Sequence, residues 1–160
     1  MKLDKKMAKQ FIMLVGPPGS GKSTWVEKQN PINTIILSTD STIDMVARER
    51  GLTYNDVFQD NMKFAEEVLK ARLNIAIRSG SNIIWDQTNL TVKSRAKKLA
   101  QIPADYEKLA VAFELPREEL YRRCAQRPEK TIPNHVLDMM IGSYQRPTIE
   151  EGFDRVQIIC

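Results

Sequence analysis

An α/β fold, built on a five-stranded parallel sheet flanked by helices on both faces, is predicted by three features of this 160-residue sequence. Short apolar runs alternate with longer stretches of helical periodicity. The first run ends directly in a glycine- and proline-rich turn that opens a helix. No repeat, low-complexity tract or linker composition divides the chain, so residues 1–160 read as one domain. Strands alternating with helices imply right-handed crossovers, and ligands of such sheets sit at the carboxyl ends of the strands.

The first strand, Gln10 to Val15, is almost continuously apolar, as a parallel strand covered on both faces should be. Thr34 to Ser38, Asn82 to Trp85, Leu109 to Leu115 and Val156 to Ile159 are short, β-branched or aromatic, and bounded by polar breaks. Helical patterns fill the intervals: Lys22 to Gln29, Thr42 to Arg50, Asp56 to Arg78, Val92 to Gln101, Arg117 to Gln126 and Asn134 to Tyr144. In the longest, Phe58, Met62, Ala65, Leu69, Leu73 and Ala76 recur at steps of three or four, which predicts one buried face. Pro116 suits a helix opening, where the N–H it lacks has no partner anyway. Arg127-Pro128-Glu129-Lys130-Thr131-Ile132-Pro133 is polar and closed by proline between two helices. It predicts a short helical lid over residues 123–133.

Composition narrows the class. With 42% hydrophobic and 28% charged residues, the chain is an ordinary globular protein and not a disordered or membrane one. Its length suffices for a core that needs no metal or disulfide staple. Cys124 and Cys160 show no metal-ligand spacing, and so few cysteines suit a reducing, cytoplasmic setting. The basic start at residues 1–6 precedes an apolar run, Phe11 to Val15, too short for a signal segment or a membrane span. Neither targeting nor a membrane partner is expected. The net charge of +4 resides in residues 91–130, which carry ten Lys/Arg against six Asp/Glu. That stretch is either an attractor for an anionic partner such as nucleic acid or a solvated helix face.

The residues Gly16-Pro17-Pro18-Gly19-Ser20-Gly21-Lys22-Ser23-Thr24 satisfy the spacing G-x-x-x-x-G-K-S between a strand and a helix. Glycines allow the backbone to curl so that successive N–H groups face phosphate oxygens, and the helix dipole adds positive potential. Lys22 reaches the β- and γ-phosphates of ATP, and the Ser23 hydroxyl ligates Mg²⁺. The fold class becomes the P-loop NTPase fold of kinase type.

Further candidates fall at strand ends on the same rim. Asp40, in Leu37-Ser38-Thr39-Asp40-Ser41, is placed to accept the proton of an attacking hydroxyl, or else to cap the helix that follows. Asp86 ends the third strand and is read as the holder of Mg²⁺ or its waters, with a turn residue as the alternative. Gln87, Thr88 and Asn89 supply neutral donors and acceptors for substrate or for the loop. Arg123 and Arg127, four apart at a helix end, are either clamps on the transferring phosphoryl group or solvated complements of the dipole, and Arg122 competes for the role. His135, without a partner at a recognisable spacing, is read as structural, and Trp25 and Trp85 as packing residues.

These residues together resemble the kinase domain of the 5′-hydroxyl polynucleotide kinases of T-even phage and of animal DNA repair. The resemblance spans almost the whole chain. It rests on Gly16 to Trp25, Asp40, Asp86-Gln87-Thr88-Asn89, Arg123 with Arg127, Ile132-Pro133, and the closing Pro147-Thr148-Ile149-Glu150-Glu151-Gly152-Phe153. It implies ATP and Mg²⁺, Asp40 as general base for a 5′-hydroxyl, Arg123 and Arg127 as lid arginines on the ATP phosphates, and nucleic-acid 5′ ends as partners. One departure stands out: the phage enzymes' substrate-phosphate arginine, three residues after the base, is replaced here by Ile43. Thr34 to Val46 and the Asp-Gln-Thr-Asn motif are also similar to the nucleotide-binding domain of heterogeneous nuclear ribonucleoprotein U, whose position matching Asp40 is not an acid. No Asp-x-Asp-Gly-Thr phosphatase motif occurs in the sequence, so neither a 3′-phosphatase nor a ligase function is expected from it.

The leading expectation is an ATP-dependent polynucleotide 5′-hydroxyl kinase. A kinase of a nucleoside or other small metabolite is the alternative with the same phosphate machinery, and a nucleotide-gated RNA-binding module is the alternative from another class. DNA or RNA preference and oligomeric state are not encoded in these motifs.

Overall fold

The computed structural model describes residues 9–128 and 130–160, so the basic start at residues 1–6 and Glu129 of the expected lid lie outside the described residues. The element order is β1 (Lys9–Val15), α1 (Lys22–Gln29), β2 (Thr34–Leu37), α2 (Thr39–Arg50), α3 (Tyr54–Ser79), β3 (Asn82–Trp85), α4 (Val92–Leu99), β4 (Tyr106–Phe113), α5 (Arg117–Ala125), α6 (Asn134–Ser143), a 3₁₀ turn (Ile149–Glu151) and β5 (Arg155–Ile159). All five strands are parallel, in the order β2-β3-β1-β4-β5. The strand that opens the phosphate loop is therefore central, and its carboxyl end lies between those of β3 and β4.

Period-two alternation sorts the side chains onto two faces. Phe11, Met13 and Val15 of β1 join Ile83, Trp85, Ala110 and Ala112 beneath Leu69, Leu73 and Ala76 of α3 and Leu99 of α4. Leu14, Ile84, Val111 and Phe113 turn the other way, to Trp25 and Val26 of α1. Helices thus cover both faces. Both tryptophans pack as expected, Trp85 edge-on to Phe11 and Trp25 edge-on to Phe113.

Three expectations are corrected. First, α2 begins at Thr39, not Thr42, because Ser38 is its cap: the Ser41 N–H donates to Ser38 Oγ at 3.4 Å. Second, the buried face of α3 is Val57, Asn61, Ala65, Leu69, Leu73 and Ala76, so Phe58 and Met62 are rotated out of the core. Val57 and Ala65 pack on Ile43, Val46 and Ala47 of α2. Asn61 tolerates burial because its amide donates to the Val57 carbonyl one turn back, at 2.9 Å. Third, helix stops at Ala125, and residues 126–133 are irregular among those described. Pro128 removes a donor and biases Arg127 away from the α region.

Candidate active site

Lys22 and the turn before it form a closed cradle. Gly21 caps α1 at φ 104°, a left-handed conformation that glycine adopts without cost. Gly16 faces the opposite constraint: a Cβ there would lie 2.6 Å from Ser20 Oγ and 3.2 Å from Phe113 Cβ. The Gly16 N–H donates to the Thr88 carbonyl at 2.9 Å, which ties the loop to the segment after β3. Lys22 Nζ donates to the carbonyls of Gly16 (2.8 Å) and Pro17 (3.1 Å), curled into its own loop. Burial pushes this ammonium down to about 8 against the pull of Asp86 and Asp40. Ser20 Oγ is buried without a hydrogen-bond partner, and α1 starts with no side-chain cap. An unsatisfied buried hydroxyl, uncapped helix N–H groups and a lysine aimed inward fit the phosphates of ATP.

Asp86 follows β3 directly, its N–H held by the Leu37 carbonyl at 2.7 Å. Burial pushes its carboxyl up, Lys22 opposes this and Asp40 reinforces it. Mg²⁺ takes one or two carboxylates with phosphate oxygens and water, so Ser23 and Asp86 are a fitting donor set beside the loop. Bound there, the ion would supply neutralisation of the phosphate charge.

The carboxylate of Asp40 projects from the first turn of α2 and is not the helix cap. Tyr54, at the start of α3, donates its hydroxyl to Asp40 Oδ1 at 2.6 Å. Burial and this bond raise the phenol well above its ordinary range, so it stays a donor. One Asp40 oxygen is thereby fixed, and the other is free to accept. Tyr54 is a site residue that sequence reading missed, because no motif links it to a residue 14 positions earlier.

Asp40, Asp86, Gln87, Thr88 and Arg127 all border one cavity of about 690 Å³ whose far wall includes Phe58 and Met62, the residues turned out of the α3 core. Residues 130–133 close its edge. Lys130 Nζ lies 2.9 Å from Asp44 Oδ2 and 4.9 Å from the centre of the Tyr54 ring. Asn55 and Thr131 exchange two bonds of 3.1 Å.

The arginines separate by position. Arg127 borders the cavity, whereas Arg123 lies against the loop, Nη1 being 3.4 Å from the Gly19 carbonyl while Nε donates to Glu119 at 2.8 Å. Arg122 turns to Glu119 alone. Asn89, expected to meet either substrate or the loop, is turned inward: at 2% exposure its amide donates to the Leu14 carbonyl at 2.7 Å and its oxygen accepts from Lys98. Held at φ 49°, it ties the segment after β3 to the end of β1. Arg95, fully buried, fastens that segment by donating to the carbonyls of Asn89 and Leu90 at 2.9 and 3.1 Å while Glu151 receives its other nitrogens at 2.8 and 3.0 Å.

The sequence profile described as an AAA domain matches residues 11–147. The chain belongs to this AAA domain family. Its P-loop kinase fold recurs in the Pnkp1/Rnl/Hen1 RNA repair complex, where the superposition gives a TM-score of 0.69 with 24% identity over 96% of this chain and 49% of the other. The bifunctional polynucleotide phosphatase/kinase of Schizosaccharomyces pombe is 28% identical over 159 residues, covering 96% of this chain and 34% of the yeast protein. Heterogeneous nuclear ribonucleoprotein U-like protein 2 of Mus musculus is 25% identical over 158 residues, 92% of this chain and 21% of its own length. This AAA domain chain thus spans about a third or less of the curated relatives it matches. It is a P-loop domain of kinase type, homologous to the kinase domain of the polynucleotide kinase/phosphatases. Among the described residues, no helix is long and apolar enough to cross a membrane.

Proposed function

We infer that the chain transfers the γ-phosphoryl group of ATP to the 5′-hydroxyl of a nucleic-acid strand. The observation that carries this reading is the Asp40 carboxylate, fixed by Tyr54 on the cavity that Asp86 and Arg127 also border. The similarity to a polynucleotide phosphatase/kinase supports the choice of acceptor.

The free oxygen of Asp40 accepts the proton of the acceptor hydroxyl as that oxygen attacks phosphorus. The new O–P bond forms in line as the bond to the β-phosphate oxygen breaks, and ADP departs. Lys22 moves from the Gly16 and Pro17 carbonyls to the β- and γ-phosphates. Ser23 and Asp86 would hold Mg²⁺, which would supply neutralisation of the phosphate charge. Thr24 and the N–H groups of Gly19, Ser20 and Gly21 complete the cradle, and Arg123 and Arg127 stabilise charge spread over the transferred oxygens. Residues 123–133 act as the lid, held closed through Lys130 and Thr131, and exclude water from the reacting oxygens. Gln87 and Thr88 contact the acceptor.

The test is transfer of labelled γ-phosphate, with Mg²⁺, to a 5′-hydroxyl oligonucleotide beside a panel of nucleosides. Label on the oligonucleotide is expected. Label confined to monomers would reassign the chain to the metabolite kinases, and RNA binding without label on any acceptor would make it a nucleotide-gated binding module.

A further inference from the structure

Beyond Gln87 lies a second depression of about 630 Å³ at the carboxyl end of β3. It is walled by α3 and α4 and floored by Trp85. Its charged lining is Lys70, Lys93, Lys97 and Lys98 against the single carboxylate of Glu66. Lys98 is the best defined of these. Its ammonium sits 5.4 Å from the centre of the Trp85 ring and donates to Asn89 Oδ1. Burial pushes it down to about 8, with Glu66 the only partner acting to raise it. None of the four lysines is within ion-pair distance of a described carboxylate, although eight such pairs occur elsewhere in the described residues. Concentrated cations that the chain's own described acids leave unpaired form a site for an anionic ligand.

The first cavity has the opposite character. Asp40, Asp56, Asp60 and Asp86 border it against Arg127 and Lys130. Away from the phosphate loop its lining is acidic, apolar or uncharged polar except for Lys130, whose ammonium is already paired with Asp44, and this disfavours a second phosphate group there and suits an uncharged nucleoside. Gln87 borders both depressions, its Nε2 donating to Thr39 Oγ1 at 3.1 Å and its Oε1 accepting from Trp85 Nε1 at 2.9 Å. It is a fixed saddle between them. The basic excess of residues 91–130 divides accordingly: Arg95 is internal, Arg123 and Arg127 serve the loop and cavity, and Lys93, Lys97 and Lys98 line the groove.

We propose that the groove of Lys70, Lys93, Lys97 and Lys98 is the track for the acceptor's phosphodiester backbone, entered over Gln87 once the uncharged 5′-nucleoside is seated beside Asp40. This rests on the nucleic-acid reading of the first cavity and extends it. The track supplies the phosphate contacts that an arginine at position 43 cannot make here, because Ile43 is fully buried between α2 and α3.

Lys70, Lys93 and Lys97 are exposed, so replacing all three by Gln leaves the core untouched. The control is the triple change of Lys28, Arg48 and Arg50 to Gln, exposed cations that border neither depression. Binding of a fluorescent 5′-hydroxyl oligonucleotide to the full chain is read by anisotropy over a salt series, and labelled transfer is read in parallel. The groove variant is expected to bind at least about ten-fold more weakly and to lose about 2 from its log–log salt slope, at about 0.7 per contact on a single strand. The control variant is expected to bind as the parent does. Parent-like affinity and slope in the groove variant, equal losses in both variants, or no oligonucleotide binding by the parent chain would each overturn the track. Groove-dependent binding without transfer would leave the track standing and remove the kinase reading instead.

Discussion

The phosphate loop and the cavity bordered by Asp40 share one rim yet are built in different ways. The loop is one contiguous segment whose function is carried largely by its backbone, so each residue is fixed by its neighbours: Gly16 by the approach of Ser20, Gly21 by its left-handed turn. The cavity is assembled from α2, the first half of α3, the segment after β3, Arg127, residues 130–133 and α6. No short stretch of sequence encodes it. A loop of the first kind recurs across many phosphotransferases, whereas a wall of the second kind is where acceptor choice resides.

That contrast is broken most severely at the loop. Lys22→Met should depress kcat by about 10²–10³ on every acceptor alike, since it removes a cation from the transferring phosphates. An acceptor-dependent loss, measured by steady-state kinetics on oligonucleotide and nucleoside, would contradict the division of labour. A smaller effect is expected at the wall. Tyr54→Phe removes only the hydroxyl that orients Asp40, and hydrogen bonds to a charged group are worth about 1.5–3 kcal/mol. The corresponding fall in kcat is at least about ten-fold, with ATP affinity unchanged; a variant that instead loses ATP binding would show Tyr54 to be scaffolding for the loop.

The smallest effect concerns pH in the lysine groove. Lys98 is held near 8 by burial, so it is charged below that pH and neutral above it. Trp85 and Asn89, which contact it, are uncharged; Glu66 is the acid beside it, and Lys70, Lys93 and Lys97 are the other cations of the groove. Raising the pH from about 7 to about 9 should weaken oligonucleotide binding and remove about 0.7 from the salt slope, the contribution of one contact. Lys98→Met should flatten this response, and a wild-type response in that variant would exclude Lys98 from the track.

The sequence made the scaffold readable because strands buried on both faces are written as uninterrupted apolar runs. Three features escaped it for distinct physical reasons. The face of α3 rotates because its first half packs on α2 and its second half on the sheet, so Phe58 and Met62, apolar at helical spacing, were indistinguishable from core residues. Burial of Asn61 is satisfied by a local carbonyl, which composition does not reveal. The cap of α2 lies in a run of four residues that all cap well, Ser38-Thr39-Asp40-Ser41, and only the geometry separates Ser38 as cap from Asp40 as rim carboxylate. In the site, the loop, Asp40, Asp86, Gln87 and the arginines were legible as motif residues. Tyr54 and Lys98 were not, because each depends on tertiary packing between elements, and the choice for Asn89 between substrate and an internal contact needed the packing as well.

The most direct test of the site is Asp40→Asn, with ATP affinity measured by calorimetry and turnover measured on a 5′-hydroxyl oligonucleotide. Loss of a positioned general base predicts a fall in kcat of about 10²–10⁴ with ATP binding close to that of the parent chain. Unchanged turnover, or ATP binding lost together with activity, would contradict Asp40 as the base of the acceptor cavity.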